Sequence, residues 1–353
     1  MEYKLHGKLG TQRGPHGYSF NDINEALYVL KEAILEWGER VETRNGTAYE
    51  FREPVAVTFN KPNRRVLFYK ERDANPVFHF LEGIWMLAGR KDLNWISQYN
   101  KRMEKFSDDG ETLNGAYGYR WRNHFDKEQI NIVCERLINY ENDRRAVITM
   151  WDPTYDLTTS NEGKDHPCNT HIYFAVRKGK LDMTVCNRSN DLIWGMCGAN
   201  AVHMSMLHEY MASLIDVGIG IYTQFTNNLH AYFDTLEKLV DMQPDYEAYN
   251  VRGLTPTILV DEPLNFIVEA EKFCKEVAVH HEQRSKRGGF RSLKLEYVYD
   301  NLIFEEVALP MHNMYMAWKD KEYDEAYLSA MEIKGADWRL ACKEWLERRR
   351  PNG

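Results

Sequence analysis

The stretch DHPCNTHIYFAVRKGKLDMTVCNRSNDLIWGMCGAN (165–200) decides how the rest of the chain is read. Cys168 sits on a His-Pro-Cys-Asn turn. Two apolar runs follow, HIYFAV (171–176) and KLDMTVC (180–186), joined at Arg177-Lys178-Gly179, which predicts a β-hairpin. The second run delivers Arg188, Ser189, Asn190 and Asp191 in one short span, and Asn200 opens a helix. A thiol at a strand start, facing an Arg-Ser pair on the neighbouring strand, places a nucleophile beside an anion site. The arginine's positive field favours thiolate over thiol.

Outward from this stretch, 353 residues with 43% hydrophobic and 13% aromatic content have ample material for a packed core. A net charge of −8 argues against a nucleic-acid coat protein, so no direct nucleic-acid binding is expected. No apolar run has the length of a bilayer span, and the polar start MEYKLHGKLGTQRG does not read as a signal peptide. Six dispersed cysteines without a CxxC pair fit reduced thiols better than a disulfide framework, hence a cytoplasmic protein.

Residues 21–41 carry apolar side chains at helical spacing (Ile23, Leu27, Leu30, Ile34, Trp37) behind an Asn21 or Asp22 cap. PVAVTFN (54–60) alternates like a strand, and NPVFHFLEGIWMLAG (75–89) is a helix apolar almost all round. Residues 126–142 read as an amphipathic helix and AVITMW (146–151) as a strand. Asn200 to Asp216 is helical, and IGIYTQFTNNLHAY (219–232) is a buried strand entering a polar site. From about Pro263 helical stretches (263–280, 322–333, 334–349) flank the basic break EQRSKRGGFRS (282–292). The class is α+β, with a sheet-centred domain over 1–270 and a helical C-terminal extension over 271–353.

Each candidate has a plainer reading. Cys168 alone could be a small core residue, and with His166 and His171 it could form a metal clip, although no fourth ligand has a usual spacing, so no metal is expected. Arg44, Arg144, Arg145 and Arg188 gain meaning only if they converge on one dianion. Glu82 lies among Phe78, Phe80, Leu81, Ile84, Trp85 and Leu87, where a carboxylate is costly unless paired or functional. Asp191 and Asn200 could cap the turn and helix that follow them. His230 and Tyr232 could be satisfied polar residues at a strand end.

Taken in order, these pieces resemble thymidylate synthases and the related pyrimidine-nucleotide hydroxymethylases, over roughly Glu42 to Tyr232. Arg44-Asn45-Gly46-Thr47 is similar to the family's Arg-Thr-Gly-Thr phosphate loop. Glu82-Gly-Ile-Trp85 resembles its Glu-x-x-Trp helix, and GAYGYRW (115–121) its Tyr-Gly-x-x-Trp segment. Arg144-Arg145 is similar to the pair that reaches the partner subunit's phosphate. HPCN resembles the Pro-Cys-His turn, CNRSND the Gln-Arg-Ser-x-Asp strand and TNNLHAY the Gly-Asp-x-His-x-Tyr ribose site.

The resemblance implies a large mixed sheet packed by helices, with one sheet face forming a homodimer interface. It implies that Arg44, Arg188 and Ser189, with Arg144 and Arg145 from the second subunit, hold a nucleotide 5′-phosphate. His230 and Tyr232 would bind the deoxyribose, and Asn200 would read the base. Cys168 would add to C6 of a pyrimidine deoxynucleotide, and C5 would accept the one-carbon unit of 5,10-methylenetetrahydrofolate. Asp191 would orient the pterin and share cofactor binding with Glu82. Glu82, with Tyr117 of the Tyr-Gly-x-x-Trp segment, would serve the proton transfers.

Several departures lean from thymidylate synthase, which leaves a methyl group, toward a 5-hydroxymethylase of the phage type. Asn169 replaces the family histidine, the tail ERRRPNG lacks a hydrophobic C-terminus, and YNKRMEKF (99–106) lacks the tryptophans of a synthase folate site. A site that admits water favours hydration. The base stays open between dUMP and dCMP, because GMCGAN needs a one-residue insertion to set Asn200 on the base-reading position. A non-catalytic relative binding a partner through KRGGFR and ERRR is the third reading.

Overall fold

The computed structural model describes residues 17–157 and 163–350; the polar start, part of the loop before Gly163 and the last three residues lie outside this range. By its internal contacts the chain divides into two compact units. One comprises 1–74, 128–158 and 167–253; the other comprises 75–127, 159–166 and 254–353.

The hairpin at 165–200 is the middle of the first unit. Lys178 and Gly179 both have positive φ (53 and 68), and Arg177 pairs with Lys180, so the strands are joined by a two-residue turn whose twist matches theirs. Among the described residues ten strands follow in chain order: β1 (Gly17–Phe20), β2 (Glu39–Thr43), β3 (Gly46–Glu50), β4 (Val55–Phe59), β5 (Val147–Thr149), β6 (Asn169–Arg177), β7 (Lys180–Asn187), β8 (Asn190–Asp191), β9 (Gly218–Thr226) and β10 (Leu229–Tyr232). Six form a mixed sheet in the order β1-β4-β9-β7-β6-β5, and four form a second sheet in the order β2-β3-β10-β8.

Alternation assigns the faces of the large sheet. Ile172, Phe174, Val176, Leu181, Met183, Val185 and Tyr222 are buried on one side. The helix Asn200–Ile215 packs there against β7 and β9, and Gln129–Asn139 packs on it and on β5. Tyr173, Ile221 and Phe225 stand exposed on the other side. The helix Ile23–Trp37 begins at Asp22, whose carboxylate accepts the amide N–H groups of Asn24 and Glu25. The strand expected over 219–232 is two strands in two sheets, because the chain breaks at Asn227-Asn228.

In the second unit the helix Pro76–Leu87 has every side chain buried. It packs against Pro263–Arg287, Leu309–Lys319 and Ala336–Glu347, which explains an apolar surface with no polar stripe. It also meets Tyr117–Arg122 at Gly118, where an added Cβ would lie 1.8 Å from the Met86 carbonyl oxygen. The C-terminal region is helical as expected, but its boundaries differ. The first helix runs through the basic segment to Arg287 and stops at Gly288 (φ 67). Arg284, Lys286 and Arg287 complement its negative end, and Arg284 pairs with Asp320. Residue 270 lies within this first helix. No helix among the described residues is long and apolar enough to cross a membrane.

Candidate active site

Where the parallel pair β7/β9 leaves the large sheet, it re-forms as the parallel pair β8/β10 of the small one. The break is stitched by Asn227 N–H donating to the Asn187 carbonyl (2.9 Å) and Asn190 N–H donating to the Asn228 carbonyl (2.9 Å). Arg188 and Ser189 occupy the step. Cys168, one residue before β6, lies beside it, its carbonyl accepting from Arg188 N–H at 2.9 Å. The Arg188 Nε donates to the Pro167 carbonyl (2.9 Å) and its guanidinium lies over the Trp151 ring, so the cation spans the turn that carries the thiol. Cys168 is half-buried, whereas burial pushes the Cys134 and Cys274 thiols up to about 12 and raises Cys186, Cys197 and Cys342 as well. Cys168 and Cys186 are the half-buried thiols among the described residues, and Cys168 is the one whose turn is bonded to Arg188.

The ribose candidates lie on the neighbouring strand. Asn228 donates to the Glu50 carboxylate (2.7 Å), so its side-chain oxygen is left to accept from His230 Nδ1 (3.0 Å). That requires a proton on Nδ1 of His230. Tyr232 Oη receives a bond from Asn45 Nδ2 (3.2 Å), which ties the Arg44–Thr47 hairpin tip to the same strand. His230 is in register with Asp191 across β8/β10. Asp191 does cap the next segment, accepting from Ile193 and Trp194 N–H through Oδ1. Its buried Oδ2 has no hydrogen-bond partner among the described residues. Burial raises this carboxyl, against the lowering influence of those amides and of nearby His230 and Arg72. An orphaned acceptor of this kind suits the N–H groups of a pterin, so the donor set fits a folate.

Asn200 is not an N-cap. Residues Leu192–Ala199 form a π-helical segment with Cys197 and Gly198 outside helical geometry, and Asn200 already has helical angles. The π-helical segment delivers Asn200 to the first turn of the regular helix that follows. Asn200 Nδ2 donates to Asn190 Oδ1 at 3.0 Å.

The remaining candidates are not gathered here by direct bonds. Arg44, Arg144 and Arg145 are exposed, and Arg145 pairs with Asp143, whose carboxyl the pairing holds far below its usual range. Glu82 and Tyr117 belong to the second unit. Burial, and then the charge of Asp165, pushes Glu82 up to about 8. Asp165 accepts from Gly115 N–H (2.7 Å), and a Cβ on Gly115 would lie 2.6 Å from it. Tyr117 is half-buried at the start of Tyr117–Arg122. Asp165 and Gln224 were given no role by the sequence reading, although Asp165 stands three residues before the thiol.

The family model for thymidylate synthase matches residues 27–256, which hold every candidate named above. The chain belongs to the thymidylate synthase family. It is 40% identical over 338 residues to a deoxyuridylate hydroxymethyltransferase of Pseudomonas phage M6, covering 93% of this chain and 92% of that protein. It is also 40% identical over 219 residues to a protein of the same description from Bacillus phage SP01, of whose length the chain spans 57%. A putative thymidylate synthase of Methanocaldococcus jannaschii is 37% identical over 214 residues, or 60% of this chain and 88% of that protein. In this thymidylate synthase family member the similarity to the M6 protein thus extends into the C-terminal helices, beyond the family match.

Proposed function

We propose that the chain is a folate-dependent one-carbon transferase that converts dUMP to 5-hydroxymethyl-dUMP. The observation that carries the reading is Cys168 beside Arg188 and Ser189 at the sheet break, in a chain alike over nearly its full length to a deoxyuridylate hydroxymethyltransferase. In overall balance, dUMP, 5,10-methylenetetrahydrofolate and water give 5-hydroxymethyl-dUMP and tetrahydrofolate.

Arg188 and Ser189, with Arg44, hold the 5′-phosphate, and His230 Nε2 accepts from the sugar hydroxyl next to Tyr232. The Cys168 thiolate forms a bond to C6, which makes C5 nucleophilic. Bound folate would supply the one-carbon unit that C5 accepts, with Asp191 Oδ2 receiving a pterin N–H. Glu82, protonated near neutrality, gives and takes protons and orders water, with Tyr117 assisting. Asn200 reads the base edge, its free amide oxygen facing N3–H and its second N–H facing O4.

The exposed face of the large sheet, with Tyr173, Ile221 and Phe225, is where a second copy packs to form a homodimer. Arg144 and Arg145 precede the edge strand β5 and reach the partner's phosphate. Residues before 270 carry the chemistry and the helices after it a separate role, in a protein of the cytoplasm. The test is incubation with methylenetetrahydrofolate and either dUMP or dCMP, followed by product mass. A hydroxymethyl product from dUMP supports the reading; a methyl product with dihydrofolate formation replaces it with thymidylate synthesis.

A further inference from the structure

A line of three side-chain amides runs from Asn200 into the sheet. Asn200 Nδ2 donates to Asn190 Oδ1 (3.0 Å), Asn190 Nδ2 to Gln224 Oε1 (2.8 Å), and Gln224 Nε2 to the Met196 backbone carbonyl (2.9 Å). Asn190 and Gln224 are buried, at 3% and 0% exposure. The direction of the line is fixed at its far end, because a backbone carbonyl only accepts. Gln224 must therefore present its nitrogen to Met196 and its oxygen to Asn190, which in turn presents its oxygen to Asn200. A half-turn of the Asn200 amide would set oxygen against oxygen, and the mismatch could be relieved only by turning all three amides onto a carbonyl that cannot turn.

Gly195 makes room for the line. An added Cβ would lie 2.3 Å from Asn190 Oδ1 and 3.2 Å from Asn200 Nδ2. What remains for a ligand is the Asn200 oxygen and its second N–H, in one fixed arrangement. Uracil offers a donor at N3 and an acceptor at position 4; cytosine offers the reverse, and an amide serves one or the other according to which way it is turned.

We infer that Asn190 and Gln224 are positioning residues that lock the Asn200 amide in the sense matching uracil, and so make the site reject cytosine. The inference rests on the dUMP reading above and on Asn200 facing the base. The experiment measures binding of dUMP and of dCMP by calorimetry, and kcat/KM for each, in wild type and Gln224→Met. Wild type prefers dUMP by about tenfold or more, the scale of one mispaired buried polar contact. In Gln224→Met that preference shrinks about fivefold or more, by loss on dUMP without matching loss on dCMP. A parallel fall on both nucleotides would make the residue merely structural and overturn the inference.

Gln224→Glu supplies the second arm. A protonated carboxyl can still donate to Met196 and accept from Asn190, whereas an ionised one cannot, so its dUMP preference declines as pH rises. A pH-independent preference there counts against the relay. The two readings separate in the wild type. A protein that makes 5-hydroxymethyl-dUMP, with a preference untouched by Gln224→Met, overturns the relay alone. One that hydroxymethylates dCMP in preference overturns the substrate reading and the uracil selectivity with it.

Discussion

Glu82 is pushed up to about 8 because burial disfavours its charged form and Asp165 adds a second negative charge. The consequence for stability has a definite sign. The folded value is raised from 4.5 to about 8, so between those limits the folded chain keeps a proton the unfolded chain has released. Stability therefore falls as pH rises across that window, by on the order of 5 kcal/mol if the whole shift is realised. Glu82→Gln should gain on wild type in thermal unfolding from pH 5 to pH 8 and gain nothing further above it; an unchanging difference would contradict the assignment. The same variant should lose about a hundredfold or more in kcat, while wild-type activity declines above about pH 8. Cys168→Ala should abolish turnover while leaving dUMP binding largely in place. Glu82 and Cys168 stood out as candidates in the sequence because a carboxylate in an apolar helix and a thiol on a Pro-Cys-Asn turn are both out of place. Asp165 was not, since only folding brings its carboxylate to Gly115 and Glu82.

Elements with strong alternation or a single apolar stripe could be read directly: the hairpin at 169–187, the helix behind Asp22, and Gln129–Asn139 with its buried Ile130, Val133 and Leu137. Leu309–Lys319 escaped because it is buried on nearly every side, so its sequence has no period to detect. Its His312 shows what such a helix can hide. Tyr99 Oη lies 2.6 Å from His312 Nδ1, His312 Nε2 2.8 Å from His280 Nδ1, and His280 Nε2 2.8 Å from the Arg291 carbonyl. The Arg291 carbonyl requires a proton on His280 Nε2, and with neutral rings Tyr99 Oη then donates to His312 Nδ1 and His312 Nε2 donates to His280 Nδ1. Burial holds His280, His281 and His312 below the usual imidazole value of 6.5. Here the unfolded chain binds more protons, so stability is complete above about pH 6.5 and is lost as pH falls below it. Urea unfolding of His312→Asn should show a slope against pH, between 6.5 and 4.5, that is shallower than wild type by up to about one proton. Parallel slopes would mean that His312 takes up its proton without unfolding.

At the scale of the whole molecule, the α+β class followed from the order of strands and helices and the mixed sheet from the family resemblance, whereas nothing in the sequence marks how the chain divides by its contacts. Residues 75–127 join the C-terminal helices because Pro76–Leu87 buries all its faces against them, and no linker composition marks such an exchange. The open sheet face poses the last question. Tyr173 and Phe225 are 46% and 44% exposed at the centre of a sheet whose other face is covered, so Tyr173→Glu with Phe225→Glu should leave a monomer in light scattering and little activity. Whether the partner matters chemically can be asked with two inactive variants. In Cys168→Ala the arginines are intact, and in R144A/R145A the thiol is intact. If Arg144 and Arg145 act across the interface, a mixed dimer has one site in which a competent thiol receives the partner's arginines. Equal mixing with subunit exchange should then restore about a quarter of wild-type turnover. If the arginines serve their own subunit, each variant lacks something at every site it builds, and the mixture stays as inactive as its parts.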